Sequence, residues 1–326
     1  MTDLELAALL PAIAKDANKY TRGSLMVLAG SERFPGAAVL AALAAARTGA
    51  GYVSLAVPAP VVPVAQGHLL SVPVIGAPHQ QGAFAADAWM TIKTQVNHID
   101  AVVLGPGLTV TDASCGFVKA VIQDAAASLG VPVLVDADGL NCLAALFAGG
   151  AVGVGTAGES DASASDVGAS GAVAANNAGA AGAAAITTAA NAGTPTYRNL
   201  ILTPHAGELR RLLDATGAAD LTQLAQMLGC VVVAKGPETR VLSSTRQERS
   251  SMGTAALARA GTGDVLCGII GGLLAQGVAP FDAALVGVEI HSRAGIIAQR
   301  ELGLRSVCAE DVMGAIPRVL RGLDEL

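Results

Sequence analysis

Short apolar runs recur along this chain at residues 25–29, 52–57, 101–104, 131–135, 200–202 and 231–233, and most of them stop at Gly, Pro or Asp. Helical stretches follow several of them. Pro35-Gly36 opens an alanine-rich helix to about Arg47, closed by Gly49 and Gly51, and another helix is predicted over 113–129. Strands that alternate with helices predict a mostly parallel, doubly wound α/β sheet flanked by helices. The runs lack polar alternation, so both faces of each strand must be covered. Only 3% of residues are aromatic while 52% are hydrophobic, so that core is built from Val, Leu, Ile and Ala.

An open sheet of this kind binds ligands beyond the carboxyl ends of its strands. The chemistry-bearing residues gather there. Gly30-Ser31 and the segment to Ala37 follow the first run, and Gly105-Pro106-Gly107 follows the third. Asp136 and Asp138 follow the fourth; if the strand extends that far, period-two spacing puts both carboxylates on one face. With Asn141 they suit hydrated Mg²⁺ or substrate hydroxyls, or serve as turn and capping residues. Thr203-Pro204-His205-Ala206-Gly207-Glu208 places an imidazole and a carboxylate at a strand-to-helix junction. Lys235-Gly236-Pro237-Glu238-Thr239 gives an ammonium, a turn and a hydroxyl, a nucleotide clamp or a solvated hairpin. No Walker A or dinucleotide glycine fingerprint is present.

Ala260-Gly261-Thr262-Gly263-Asp264 then runs into an apolar helix. The first N–H groups of a helix lack intrahelical partners and carry the positive end of its dipole. Such a turn is either a capped helix start or a cradle for a phosphoryl group, with Asp264 expected to stay ionised and serve as base. His291 reads as a core histidine on a helix over 282–299.

A formal net charge of −6 argues against general nucleic-acid or anionic-membrane binding. The apolar stretch 265–281 contains four glycines, Gln276 and Pro280, which suits a buried helix better than a span. Five widely separated cysteines without a CxxC pair predict reduced, mostly buried thiols in a cytoplasmic protein, and the first twenty residues do not read as a signal peptide. Residues 149–196 are rich in Ala, Gly, Ser and Asn, and are expected to form a flexible low-complexity insertion within a single domain over 1–326.

In chain order, GSERFPGA (30–37), LGPGL (104–108), VDADGLN (135–141), LTPHAGE (202–208), KGPET (235–239) and AGTGDVLCGIIGGLLAQG (260–277) resemble the ADP- or ATP-dependent NAD(P)H-hydrate dehydratases of the ribokinase-like superfamily. The resemblance covers nearly the whole chain apart from 149–196. It implies a ribokinase-like fold and a repair reaction that dehydrates (6S)-NAD(P)H hydrate at the expense of ADP, releasing AMP and phosphate. By the same resemblance Asp264 is the base and the Gly261-Thr262-Gly263 backbone stabilises the transferring phosphoryl group. Ala37, Gly107, His205 and Asp264 contact the hydrate, and Lys235, Gly236, Pro237, Glu238, Thr239 and Gly263 contact the nucleotide. Glu208 stands near Mg²⁺, with Asp136 or Asp138 reaching it through water. Hydrated NADH or NADPH, ADP and Mg²⁺ are the implied ligands, and a homotetramer the implied assembly. Residues 18–23 depart from the family's basic stretch, and no epimerase domain is expected in the chain, so it should act on the S epimer alone. Two other readings share these residues: a ribokinase-like kinase acting on the alcohol of a small heterocycle, and a nucleotide-binding protein without catalysis.

Overall fold

The computed structural model describes residues 1–149, 199–250 and 252–326. Its main sheet has nine strands: β1 (Ser24–Leu28), β2 (Tyr52–Pro58), β3 (Val74–Ala77), β6 (Ala101–Leu104), β7 (Val133–Val135), β8 (Leu200–Leu202), β9 (Val231–Ala234), β10 (Thr239–Leu242) and β11 (Gln247–Ser250). A separate pair, β4 (His79–Gln80) and β5 (Ala83–Phe84), lies outside it. The order is β11-β10-β9-β8-β7-β6-β1-β2-β3. Neighbours from β9 through β3 run parallel, whereas β10 is antiparallel to both β9 and β11. The doubly wound expectation is met, and the antiparallel β9-β10-β11 edge is an addition to it.

Helices cover both faces, as the unbroken apolar strands require. On one face lie α1 (Asp3–Ala8), α2 (Pro35–Arg47), α3 (Val62–His68), and the three helices α9 (Thr262–Ala275), α10 (Pro280–Leu302) and α11 (Ala309–Asp324). Opposite them lie α4 (Ala88–Lys93), α5 (Asp112–Val121), α6 (Asp138–Phe147), α7 (Ala206–Thr216) and α8 (Leu221–Leu228). The helix expected over 113–129 is divided: α5 ends at Val121 and a π-helical turn, Ile122–Ser128, completes it. His291 is buried in α10, as a core histidine should be. The insertion expected over 149–196 lies, from residue 150 on, outside the described residues.

Glycine in α9 has a packing reason. A methyl group on Gly268 would overlap the Ala41 carbonyl of α2, and one on Gly271 would meet Val103 of β6. The two helices therefore meet at backbone distance. Gly268→Ala is expected to destabilise the fold by about 1–3 kcal/mol, the usual range for overpacking. Urea unfolding monitored by circular dichroism checks this; an unchanged midpoint would mean α9 is free to shift. No helix among the described residues is long and apolar enough to cross a membrane.

The sheet's order reverses between β1 and β6, the place at which open sheets of this kind take a ligand. The Gly30 amide donates to the Pro106 carbonyl at 2.7 Å and the Ser31 and Thr109 hydroxyls meet at 2.8 Å, which ties the loops after β1 and β6 together.

Candidate active site

Each sequence-selected segment follows the carboxyl end of a strand or opens α9. β7 stops at Val135, and Asp136 turns inward. The residue is 1% exposed. Oδ1 accepts from Lys235 Nζ at 2.6 Å and from Thr203 Oγ1 at 2.7 Å. Oδ2 accepts from the Cys267 thiol at 2.9 Å. Burial is the largest influence on this carboxyl and raises its pKa. The Lys235 charge and the three donors outweigh it and hold the group below the usual carboxylate range. Burial likewise works against the Lys235 ammonium, but Asp136 reverses the sign and keeps it charged above its ordinary pKa.

Asp136 and Asp138 do not share a strand face. Ala137 between them adopts φ 50°, ψ −123°, and Asp138 opens α6. That twist sends Asp138 to the other side of the turn, where it accepts from the Thr109 amide at 2.9 Å. A left-handed conformation is uncommon for a residue with a Cβ, and the period-two argument carries no sign of it.

β8 delivers His205 and Glu208. His205 is the N-cap of α7: its Nδ1 accepts from the Gly207 amide at 3.0 Å, and Glu208 Oε2 accepts from the His205 amide at 2.9 Å. With Nδ1 accepting, the proton of neutral His205 is assigned to Nε2, which stands 3.3 Å from Glu208 Oε1. Burial, Lys235 and Arg211 push the imidazole below its usual pKa. Burial raises Glu208 to about 7, against the pull of Lys235. A backbone bridge joins His205 to Lys235, which extends the β8–β9 pairing past the strand ends.

The start of α9 completes the group. Gly261 is its N-cap with φ 90°, a conformation that favours glycine. The first i→i−4 bond runs from the Val265 amide to the Gly261 carbonyl, so the amides of Gly263 and Asp264 precede the helical ladder. The Thr262 hydroxyl donates to the Leu257 and Arg259 carbonyls and its amide to the Arg259 carbonyl at 3.4 Å, so the donors facing a ligand are the Gly263 and Asp264 amides. A Cβ built on Gly263 would lie 3.6 Å from Lys235 Nζ and 3.9 Å from Asp136 Oδ2. The N-terminus of α9 is therefore beside the ion pair. Asp264 does not stay fully ionised at neutral pH, as the dipole argument had it. Burial, then the Asp136 charge, raise it to about 7, with Lys235 opposing. That value is close to the best for a proton acceptor working near neutrality.

Ala37 and Gly107 stand beside each other beyond β1 and β6. A Cβ on Gly107 would come within 3.0 Å of the Ala37 side chain. In contrast, Gly236, Pro237 and Glu238 are exposed in the turn between β9 and β10, where Glu238 lies 3.5 Å from Arg249, and Thr239 bonds back to the Gly236 carbonyl. The structure thus brings Asp136, Glu208, Lys235, Gly263 and Asp264 together, with Glu238 on the outer surface. Thr203 and Cys267 were not singled out by sequence. Cys267 stands one helical turn after Asp264, a spacing that places both on one side of α9.

The architecture is ribokinase-like. The sequence profile described as NAD(P)H-hydrate dehydratase matches residues 25–149 and 169–318, and the chain belongs to that family. It is 33% identical over 311 residues to the ADP-dependent (S)-NAD(P)H-hydrate dehydratase of Neisseria meningitidis, covering 93% of this chain and 86% of that protein. With the bifunctional NAD(P)H-hydrate repair enzyme Nnr of Salinibacter ruber it shares 32% identity over 98% of its own length, but it spans about half (52%) of that relative. A crystal structure of the ADP/ATP-dependent NAD(P)H-hydrate dehydratase from Bacillus subtilis, co-crystallized with ATP/Mg²⁺, superposes with TM-score 0.70 at 25% identity and covers 99% of this chain and 97% of that one.

Proposed function

We propose that this chain dehydrates (6S)-NAD(P)H hydrate to NAD(P)H and consumes ADP, releasing AMP and phosphate. The observation that carries the reading is one juxtaposition. A carboxylate with a pKa of about 7, Asp264, stands at the free amides of α9, beside the half-buried Lys235 ammonium. Family membership and the Neisseria relative support it.

The chemistry follows from leaving-group ability. Hydroxide leaves a ring carbon poorly, and phosphate leaves well. Asp264 takes the proton of the hydrate's ring alcohol as the oxygen attacks the terminal phosphorus of ADP. The bond from that phosphorus to the bridging oxygen breaks and AMP departs. Lys235 and the Gly263 amide face the charge that builds on the phosphoryl oxygens. The ring nitrogen then drives out phosphate, and loss of the neighbouring ring proton restores the double bond. Ala37, Gly107 and His205 hold the hydrate, and the turn from Gly236 to Thr239 holds the nucleotide in this reading.

Mg²⁺ neutralises phosphate charge when bound. Both Asp136 oxygens already accept hydrogen bonds, and Glu208 Oε2 is bound by the His205 amide. Among the described residues no cluster of three ligands forms a cage. The donors fit an ion that arrives on nucleotide phosphates and reaches Glu208 or Asp136 through water. A homotetramer in the cytoplasm is part of the same reading.

Hydrated NADH is incubated with the protein and ADP, with ATP in parallel. Absorbance at the NADH band is expected to return with ADP. No recovery with either nucleotide defeats the proposal, and accumulation of a stable phosphate ester on an added heterocyclic alcohol would instead identify a kinase.

A further inference from the structure

Cys267 is fully buried in α9, and its sulfur lies 2.9 Å from Asp136 Oδ2. It is the donor that the structure gives to that oxygen, because Lys235 and Thr203 both bond to Oδ1. Oδ2 also faces the start of α9, 3.9 Å from where a Gly263 Cβ would stand. A bare carboxylate oxygen there repels an incoming phosphoryl group. It also competes for the ammonium: with Oδ2 unsatisfied, Lys235 is drawn toward a two-oxygen contact, and fewer of its three N–H donors remain for a ligand.

We propose that Cys267 is a positioning residue, whose S–H occupies Asp136 Oδ2, keeps Lys235 on Oδ1 with donors turned toward a nucleoside diphosphate, and masks negative charge beside the amides of α9. Burial and the Asp136 charge keep the thiol protonated, as a donor must be. The inference rests on the nucleotide reading above.

Two measurements test it. In the infrared, wild-type protein should show an S–H stretching band that is broadened and shifted to low frequency by the carboxylate, and Cys267→Ala should lack it. By calorimetry, Cys267→Ala should bind ADP about tenfold more weakly, the scale of one hydrogen bond to a charged group. Cys267→Ser, which keeps a donor, should recover most of that loss, whereas Cys267→Val, which fills the space without a donor, should not; recovery by Cys267→Val would make the role one of filling space. A band at the frequency of an unbonded thiol, or ADP binding by Cys267→Ala as tight as wild type, overturns the proposal. Wild-type protein with the shifted band but without affinity for ADP removes the nucleotide reading, and the positioning role with it. Loss of the thiol effects alone leaves that reading standing.

Discussion

Asp264→Asn is expected to lower turnover by about 10²–10⁴-fold while ADP affinity stays near wild type. The amide keeps the shape of the side chain and cannot accept the proton of the ring alcohol. In the proposed mechanism phosphate contacts come from the α9 backbone and Lys235, so binding should survive. Wild-type turnover should fall as pH drops below about 7, because the base must be ionised and its pKa is raised to about 7. Stability should move the other way. A carboxyl whose folded pKa is raised above its unfolded value binds its proton more tightly when folded, so stability is lost as pH rises from about 4 to about 7. Asp264→Asn removes that loss and should unfold at a higher temperature than wild type at pH 8. Rapid-mixing kinetics and calorimetry across pH check both halves. Near-normal turnover in the variant removes Asp264 from the mechanism, and unchanged stability at pH 8 removes its raised pKa.

Much of the frame was legible in the sequence because parallel sheets impose strong local patterns. Runs such as 101–104 and 231–233 are apolar throughout, so they had to be strands covered on both sides. The glycine and carboxylate positions after them had to lie at one sheet edge. The β10-β11 hairpin was less legible: Gln247, Glu248 and Arg249 lie on an exposed edge strand and carry no apolar period. Charge at an edge guards against pairing with other chains, and it also erases the pattern. The π-helical turn after α5 was hidden for another reason, since Ile122 and Ala125 keep apolar spacing through it.

The site was legible residue by residue but not in its pairings. Lys235 and Asp136 are 99 residues apart, and no local rule joins them. Their partnership depends on β7, β8 and β9 being neighbours. Asp138, by contrast, was misplaced by a local rule, because one left-handed residue, Ala137, ended the strand early. Asp264 was judged from its own helix, where the dipole favours ionisation. The deciding terms, burial and the Asp136 charge, come from the fold.

That dependence gives the second large effect. Asp136→Leu should destabilise the protein by about 3–5 kcal/mol, because it leaves the half-buried Lys235 ammonium without its partner. Lys235→Met should do comparable damage by stranding the carboxylate. The double variant Asp136→Leu/Lys235→Met should recover much of the lost stability, since no unpaired buried charge remains, and the two effects should be far from additive. ADP affinity should not recover with it, because the ammonium is gone from the α9 cradle. Chemical denaturation gives the stability cycle, and calorimetry with ADP gives the binding cycle. Additive losses of stability would mean that the two side chains do not act as a buried pair. Recovery of ADP binding in the double variant would mean that the pair serves the fold alone and that nucleotide phosphates are held elsewhere.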